Sequence, residues 1–139
     1  MRVVFDTNVL ISALITKGTP PDMLYEKWSN GIIDVVTSRA QLKELSRVLS
    51  YKKLRKIISR EEAQVLLEAL NEQAQVIETL PKIKYSKDKE DNQILATAIV
   101  GKAELLITGD KSDLLSLNIV ENVQIVTPRQ ALAAIEKLS

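Results

Sequence analysis

The stretch VVFDTNVLIS, residues 3–12, changes character at its fourth position. Val3, Val4 and Phe5 form an apolar run of the kind buried on both faces of a sheet, and the residues from about Asn8 to Ile15 read as a helix that starts beside the acid. The strand is read as Arg2–Phe5, with Asp6 at the junction. A carboxylate closing a buried strand is costly unless something compensates its charge. Asp6 therefore needs a partner.

Outward from this junction, strand and helix signals alternate. Pro20 and Pro21 suit the first turn of a second helix running to about Asn30, with Met23, Leu24 and Trp28 at helical spacing, and Gly31 ends it. Residues 33–37 read as a second strand. Ser38 and Gln41 form an S-x-x-Q capping box opening a helix to about Leu49 that carries Glu44. After the basic segment YKKLRK, Ser59 and Glu62 make another box for a helix to about Ala74, and residues 76–78 suit a short strand. The polar, proline-broken stretch TLPKIKYSKDKE leads into an apolar-periodic helix, DNQILATAIVGKA, that is expected to begin at Asp91. Residues 105–108 and 124–126 read as further core strands. Thr127, Pro128 and Gln130 supply cap, first-turn proline and box partner for a last helix. Such alternation argues for an α/β fold, a mainly parallel sheet with helices on both faces, where ligands sit outside the carboxyl ends of the strands.

The 139 residues, 45% hydrophobic and 27% charged, are sized for one globular domain over residues 1–139. No apolar stretch approaches the roughly 20 residues needed to cross a bilayer, and no signal-peptide pattern opens the chain, so a cytoplasmic protein without a membrane partner is expected. With no cysteine and no histidine, disulfides, thiol nucleophiles, the usual zinc sites and Ser-His-Asp mechanisms are excluded. Catalysis must then rest on carboxylates, lysines or a metal. The 19 basic and 18 acidic residues leave a formal charge of +1, which neither demands nor excludes a nucleic-acid partner.

Four acids stand out by position: Asp6 after the first strand, Glu44 beside the apolar face of its helix, Asp91 at a helix start and Asp110 just past a core strand. Singly, each has a structural explanation, since Asp6 and Asp91 suit helix caps, Asp110 with Gly109 suits a turn, and Glu44 suits a solvated flank. As a set gathered at one sheet edge they would repel one another and raise each other's pKa unless a cation occupied the gap. Mg²⁺, or Mn²⁺ with the same oxygen ligands, answers that need and bridges carboxylates to phosphates. A water activated by the cation would then be the nucleophile for phosphodiester hydrolysis.

With those residues in place, the chain resembles the PIN-domain family over its whole length, and its toxin-component branch in particular. FDTNVLISAL is similar to the family's opening strand and first acid, SRAQLKELSRVL to its second-acid helix, DNQILATA to its third and LLITGD to its fourth. The resemblance implies a three-layer α/β/α sandwich and an Mg²⁺- or Mn²⁺-dependent ribonuclease. It implies metal ligation by Asp6, Glu44, Asp91 and Asp110, with Asp113 as an accessory acid and Thr7, Asn8, Ser38 and Thr108 as polar neighbours. Asp88 is a competitor for the third position, but it is read as a loop residue, so Asp91 is preferred. An RNA substrate, an antitoxin protein and a homodimer are the implied partners, with Met23, Tyr25 and Trp28 as a candidate patch for the dimer or as core.

Basic residues offer a track for phosphates: Arg47, Lys52, Lys53, Arg55, Lys56 and Arg60 follow the Glu44 helix, while Lys82, Lys84, Lys87, Lys89 and Lys111 flank the later acids. Their other explanation is an ordinary solvated face. Aromatics make up only 4% of the chain, so base stacking contributes little. Two competing functions remain: a phospho-acceptor receiver domain, which also gathers acids at parallel strand ends, and a non-catalytic RNA-binding scaffold of the same fold. The receiver fits less well, because DTN stands where paired acids are expected and no strand-borne lysine is evident.

Overall fold

The computed structural model describes residues 1–109 and 113–138. Its centre is β1 (Arg2–Phe5), paired in parallel with β2 (Asp34–Ser38) on one side and β4 (Leu105–Ile107) on the other. β3 (Gln75–Ile77) extends the sheet beyond β2, and β6 (Val123–Val126) beyond β4. A two-residue strand, β5 (Ile119–Val120), closes that edge antiparallel to β6, giving the order β3-β2-β1-β4-β6-β5. The sequence carries no alternation long enough to reveal β5.

Period-two alternation divides the core. Val3, Phe5, Val35, Leu105 and Ile107 face a layer built from α1 (Thr7–Ile15), α2 (Pro20–Ser29), α3 (Arg39–Leu49), α5 (Arg60–Gln73) and α7 (Pro128–Glu136). Val4, Val36, Leu106 and Ile125 face the other layer, where α6 (Lys89–Val100) contributes Ile94, Leu95 and Ala98. The α/β sandwich expected from the alternation is therefore present, with its helices divided unequally. At the end of α6, a Cβ on Gly101 would lie 2.3 Å from Val36 Cγ1, so the helix meets β2 at a distance only glycine permits. Gly31, at φ +75°, ends α2 as its sequence position suggests.

Local departures have identifiable causes. α6 starts at Lys89 rather than Asp91, because Asp88 takes the cap, its Oδ1 accepting from the Glu90 N–H at 2.8 Å. Asp88 is thus a helix cap and not a loop acid, and Asp91 lies within the first turn. The segment YKKLRK contains a short helix, α4 (Lys52–Arg55). Leu24 and Trp28 are buried as expected, while Met23 is 37% exposed; Tyr25 is partly buried and packs edge-to-face on Trp28 at 5.6 Å. Of the candidate dimer patch, Trp28 is therefore core, Tyr25 lies at its margin and Met23 faces outward. Among the described residues no helix is long and apolar enough to cross a membrane.

The register matters most at the carboxyl ends of the strands. The β1–β2 ladder pairs Arg2 with Asp34 and Val3 with Val35, whereas the β1–β4 ladder continues to Phe5 opposite Ile107. Beyond Phe5 the Asp6 N–H still donates to the Ile107 carbonyl at 2.8 Å. β1 thus stays with β4 and parts from β2, which opens the sheet edge between them.

Candidate active site

A cleft of about 470 Å³ lies at this opening. Asp6 occupies its floor at the N-cap position of α1, but its side chain makes no capping bond. The carboxylate turns instead toward β4, where Oδ2 accepts from the Thr108 hydroxyl at 2.7 Å. Thr108 is fully buried, and its own N–H donates to the Val126 carbonyl at 2.9 Å, so the hydroxyl is presented from a fixed backbone. Burial pushes the Asp6 carboxyl above its ordinary pKa; the Thr108 hydroxyl and the nearby Thr7 amide pull it back, and the Glu90 charge adds to the rise. The partner that the sequence demanded is therefore a neutral hydroxyl.

Asp91 reaches the cleft from the first turn of α6, where Ser86 Oγ donates to its Oδ2 at 3.3 Å. Its pKa is also raised, first by burial and then by the charge of Asp88, with the Ser86 bond opposing and the charges of Asp6 and Asp113 adding. Asn92 holds Ser86 in place. Its Oδ1 accepts from the Tyr85 and Ser86 N–H groups at 3.0 and 2.9 Å, and its Nδ2 donates to the Ser86 carbonyl at 2.8 Å.

Glu44, partly buried on α3, and the exposed Asp113 line the same cleft, as do Thr7, Asn8 and Ser38. Asp110 and Lys111 lie outside the described residues. Asp88 and Glu90 also line the cleft, so the acidic wall is wider than the sequence pattern implied. Among the described residues, the ion pairs are Lys17 with Asp22 and Arg39 with Glu78, so none neutralises a cleft acid.

Of the basic residues, Arg47 lines the cleft. It donates to the Tyr51 hydroxyl one turn on, its guanidinium 5.8 Å from that ring's centre. Lys52, Lys53, Arg55 and Lys56 are exposed on and after α4, and Lys87 and Lys89 are exposed around the start of α6; none of these lines the cleft. Sequence reasoning missed Glu90, Ser86, Asn92 and the destination of Gln41. The acid-rich run SKDKEDN was the available signal for the first three.

A family model described as PIN domain matches residues 2–112, a span that includes Asp6, Glu44 and Asp91. The chain belongs to the PIN-domain family. PIN domains are generally nucleases that use divalent metal ions. An uncharacterized protein of Methanocaldococcus jannaschii is 33% identical over 147 aligned residues, covering 99% of this PIN domain's chain and 93% of the relative. The solved VapBC2 of Rickettsia felis, bound to a DNA fragment from its promoter, shares the fold at a TM-score of 0.60 and 19% identity. That match covers 91% of this chain and 98% of the other. The strand order also separates this PIN domain from the 2-1-3-4-5 parallel order of receiver-type folds, because β3 lies outside β2 and β5 is antiparallel.

The donor chemistry of the cleft suits a hard divalent cation: its ionisable donors are carboxylate oxygens, and the chain has no histidine or cysteine. Among the described residues no three acids approach closely enough to hold an ion by themselves.

Proposed function

We propose that this PIN domain, read as a single unit over residues 1–139, is a ribonuclease. It hydrolyses RNA phosphodiester bonds with Mg²⁺ or Mn²⁺ and acts in the cytoplasm as the toxin component of a toxin–antitoxin pair. The observation that carries this reading is the cleft itself, where Asp6 and Asp91 are both disfavoured as charged groups and no lysine or arginine among the described residues pairs with them. Asp6 and Asp91 would hold the ion, with Glu44 and Asp113 contacting it directly or through water. Asp110 joins them by family likeness.

When bound, the cation supplies charge neutralisation at the phosphate and lowers the pKa of a water. The protein's own groups do the rest. Thr108 fixes the rotamer of Asp6, Ser86 fixes that of Asp91, and Thr7, Asn8 and Ser38 line the cleft as polar neighbours. Arg47, which lines the cleft, would contact a phosphate there, and Lys52, Lys53, Arg55, Lys56, Lys87, Lys89 and Lys111 are the further phosphate contacts of this reading. The antitoxin is supported by the likeness to VapBC2, and the homodimer rests on the resemblance to toxin components alone.

Incubating the full chain with single-stranded RNA tests the reading. Cleavage should require Mg²⁺ or Mn²⁺, stop in EDTA, and fall on the order of 100-fold or more in Asp6→Asn and Asp91→Asn proteins that keep their circular dichroism. Metal-independent cleavage, with contaminating nucleases excluded, overturns the mechanism. RNA binding without cleavage returns the chain to the scaffold class.

A further inference from the structure

Gln41 is 6% exposed and lies at the third position of α3, beneath the cleft. Its Nε2 donates to the Phe5 carbonyl and its Oε1 accepts from the Thr37 hydroxyl, each at 2.6 Å. The carbonyl can only accept, so it fixes which way the amide faces. Both bonds fall where β1 and β2 have stopped pairing, since the ladder between them ends at Val3 and Val35. The side chain therefore substitutes for the strand pairing that the opening removes.

The consequence falls on Asp6. The peptide joining Phe5 to Asp6 is held at both edges, its N–H by the Ile107 carbonyl at 2.8 Å and its carbonyl by Gln41. Glu44 stands three residues after Gln41, on the same side of α3. One side chain thus links the strand that carries the first acid to the helix that carries the second.

We infer that Gln41 is a positioning residue that fixes Asp6 relative to Glu44, acting through the Phe5–Asp6 peptide. Its effect on metal binding rests on the proposed metal-dependent reading; the positioning itself does not.

Gln41→Met keeps the length of the side chain and removes both bonds. Gln41→Glu keeps an acceptor for Thr37 and sets an oxygen against the Phe5 carbonyl. Leu70→Ala, at a buried site on α5, is the control for general loss of stability. In the full chain, Mn²⁺ affinity is read by calorimetry, and exchange of the Asp6 N–H is read in metal-free protein relative to that of Val4. Gln41→Met should weaken Mn²⁺ binding roughly 10- to 100-fold, as removing a supporting hydrogen bond around a metal site typically does. It should also speed exchange selectively at Asp6. Leu70→Ala should leave Mn²⁺ affinity within about twofold of wild type, well below that range. Should the methionine protein fail to fold, Gln41→Glu is held to the same two changes.

Asp6 exchange that is unaltered in the variant overturns the inference, whether or not Mn²⁺ binding weakens. Mn²⁺ affinity that falls no further than in Leu70→Ala overturns it as well. If wild type binds no Mn²⁺, the metal reading fails, and selective exchange at Asp6 alone decides the positioning role.

Discussion

Helices α3 and α7 open with the same signature, Ser38-x-x-Gln41 and Thr127-x-x-Gln130, and use their glutamines in opposite ways. At α7 the box is complete: Gln130 N–H donates to Thr127 Oγ1 at 3.1 Å, and the Gln130 amide oxygen accepts from the Thr127 N–H at 2.9 Å, in solvent. At α3 only the first half forms, Gln41 N–H to Ser38 Oγ at 3.1 Å, and the amide is diverted into the core. The cause is the acceptor within reach. A buried carbonyl left open by parting strands draws the amide, because an unmet buried group carries its full desolvation cost. Among the described residues no buried side-chain polar atom lacks a partner, and Gln41 is part of the reason.

The contrast can be broken most strongly at the glutamines themselves. Gln41→Met should cost about 1–3 kcal/mol, since it strands the Phe5 carbonyl and the Thr37 hydroxyl, whereas Gln130→Met should cost under about 0.5 kcal/mol at an exposed box. Urea unfolding of the two variants beside wild type measures both. Equal losses would mean that the α3 glutamine is an ordinary cap partner.

Acid dependence sharpens the comparison at a smaller scale. Asp6 and Asp91 have folded-state pKa values above the ordinary 3.8, so between the two values the folded protein holds protons that the unfolded chain has released. Stability in EDTA should therefore fall as pH rises through that window and be recovered as pH drops toward 3.8. Glu62 and Glu78, depressed from 4.5, act in the opposite sense, and only as pH falls below that value. Thermal melts from mildly acidic to neutral pH should show the decline in wild type and in Gln130→Met alike, flattened in Asp6→Asn. A parallel decline in Asp6→Asn would place its origin elsewhere.

The smallest effect concerns binding alone. Replacing Lys52, Lys53, Arg55 and Lys56, which follow α3, with alanine should reduce the salt slope of RNA binding by about 0.7 for each phosphate that is no longer neutralised. Removing Arg129 and Lys137 of the α7 region should leave it unchanged. Titrations at several salt concentrations compare the two sets, and equal slopes would make the first set a solvated face.

What was legible in the sequence was local or periodic. Val3 to Phe5 announced a doubly buried strand, Ser59-x-x-Glu62 and Thr127-x-x-Gln130 announced caps that form as read, and the alternation of strands and helices brought Asp6, Glu44 and Asp91 to one cleft. What was not legible depends on distant chain. Gln41 finds Phe5 across 36 positions and Asp6 finds Thr108 across 102, so no local signature distinguishes a diverted glutamine from a capping one. The start of α6 differs from its sequence expectation for a nearer reason: Asp88 and Asp91 are both good caps three residues apart, and only the folded loop decides between them.

The missing side chain at Gly101 has a mechanical consequence. α6 rests on Val36 at one end and presents Asp91 at the other, ten residues or about 15 Å away, with Ile94, Leu95 and Ala98 seated on the sheet between them. A tilt of about 4° at that bearing carries the far end through about 1 Å over this length. A side chain added at Gly101 would thus bear on the alignment of a carboxylate in the cleft from the opposite end of its helix.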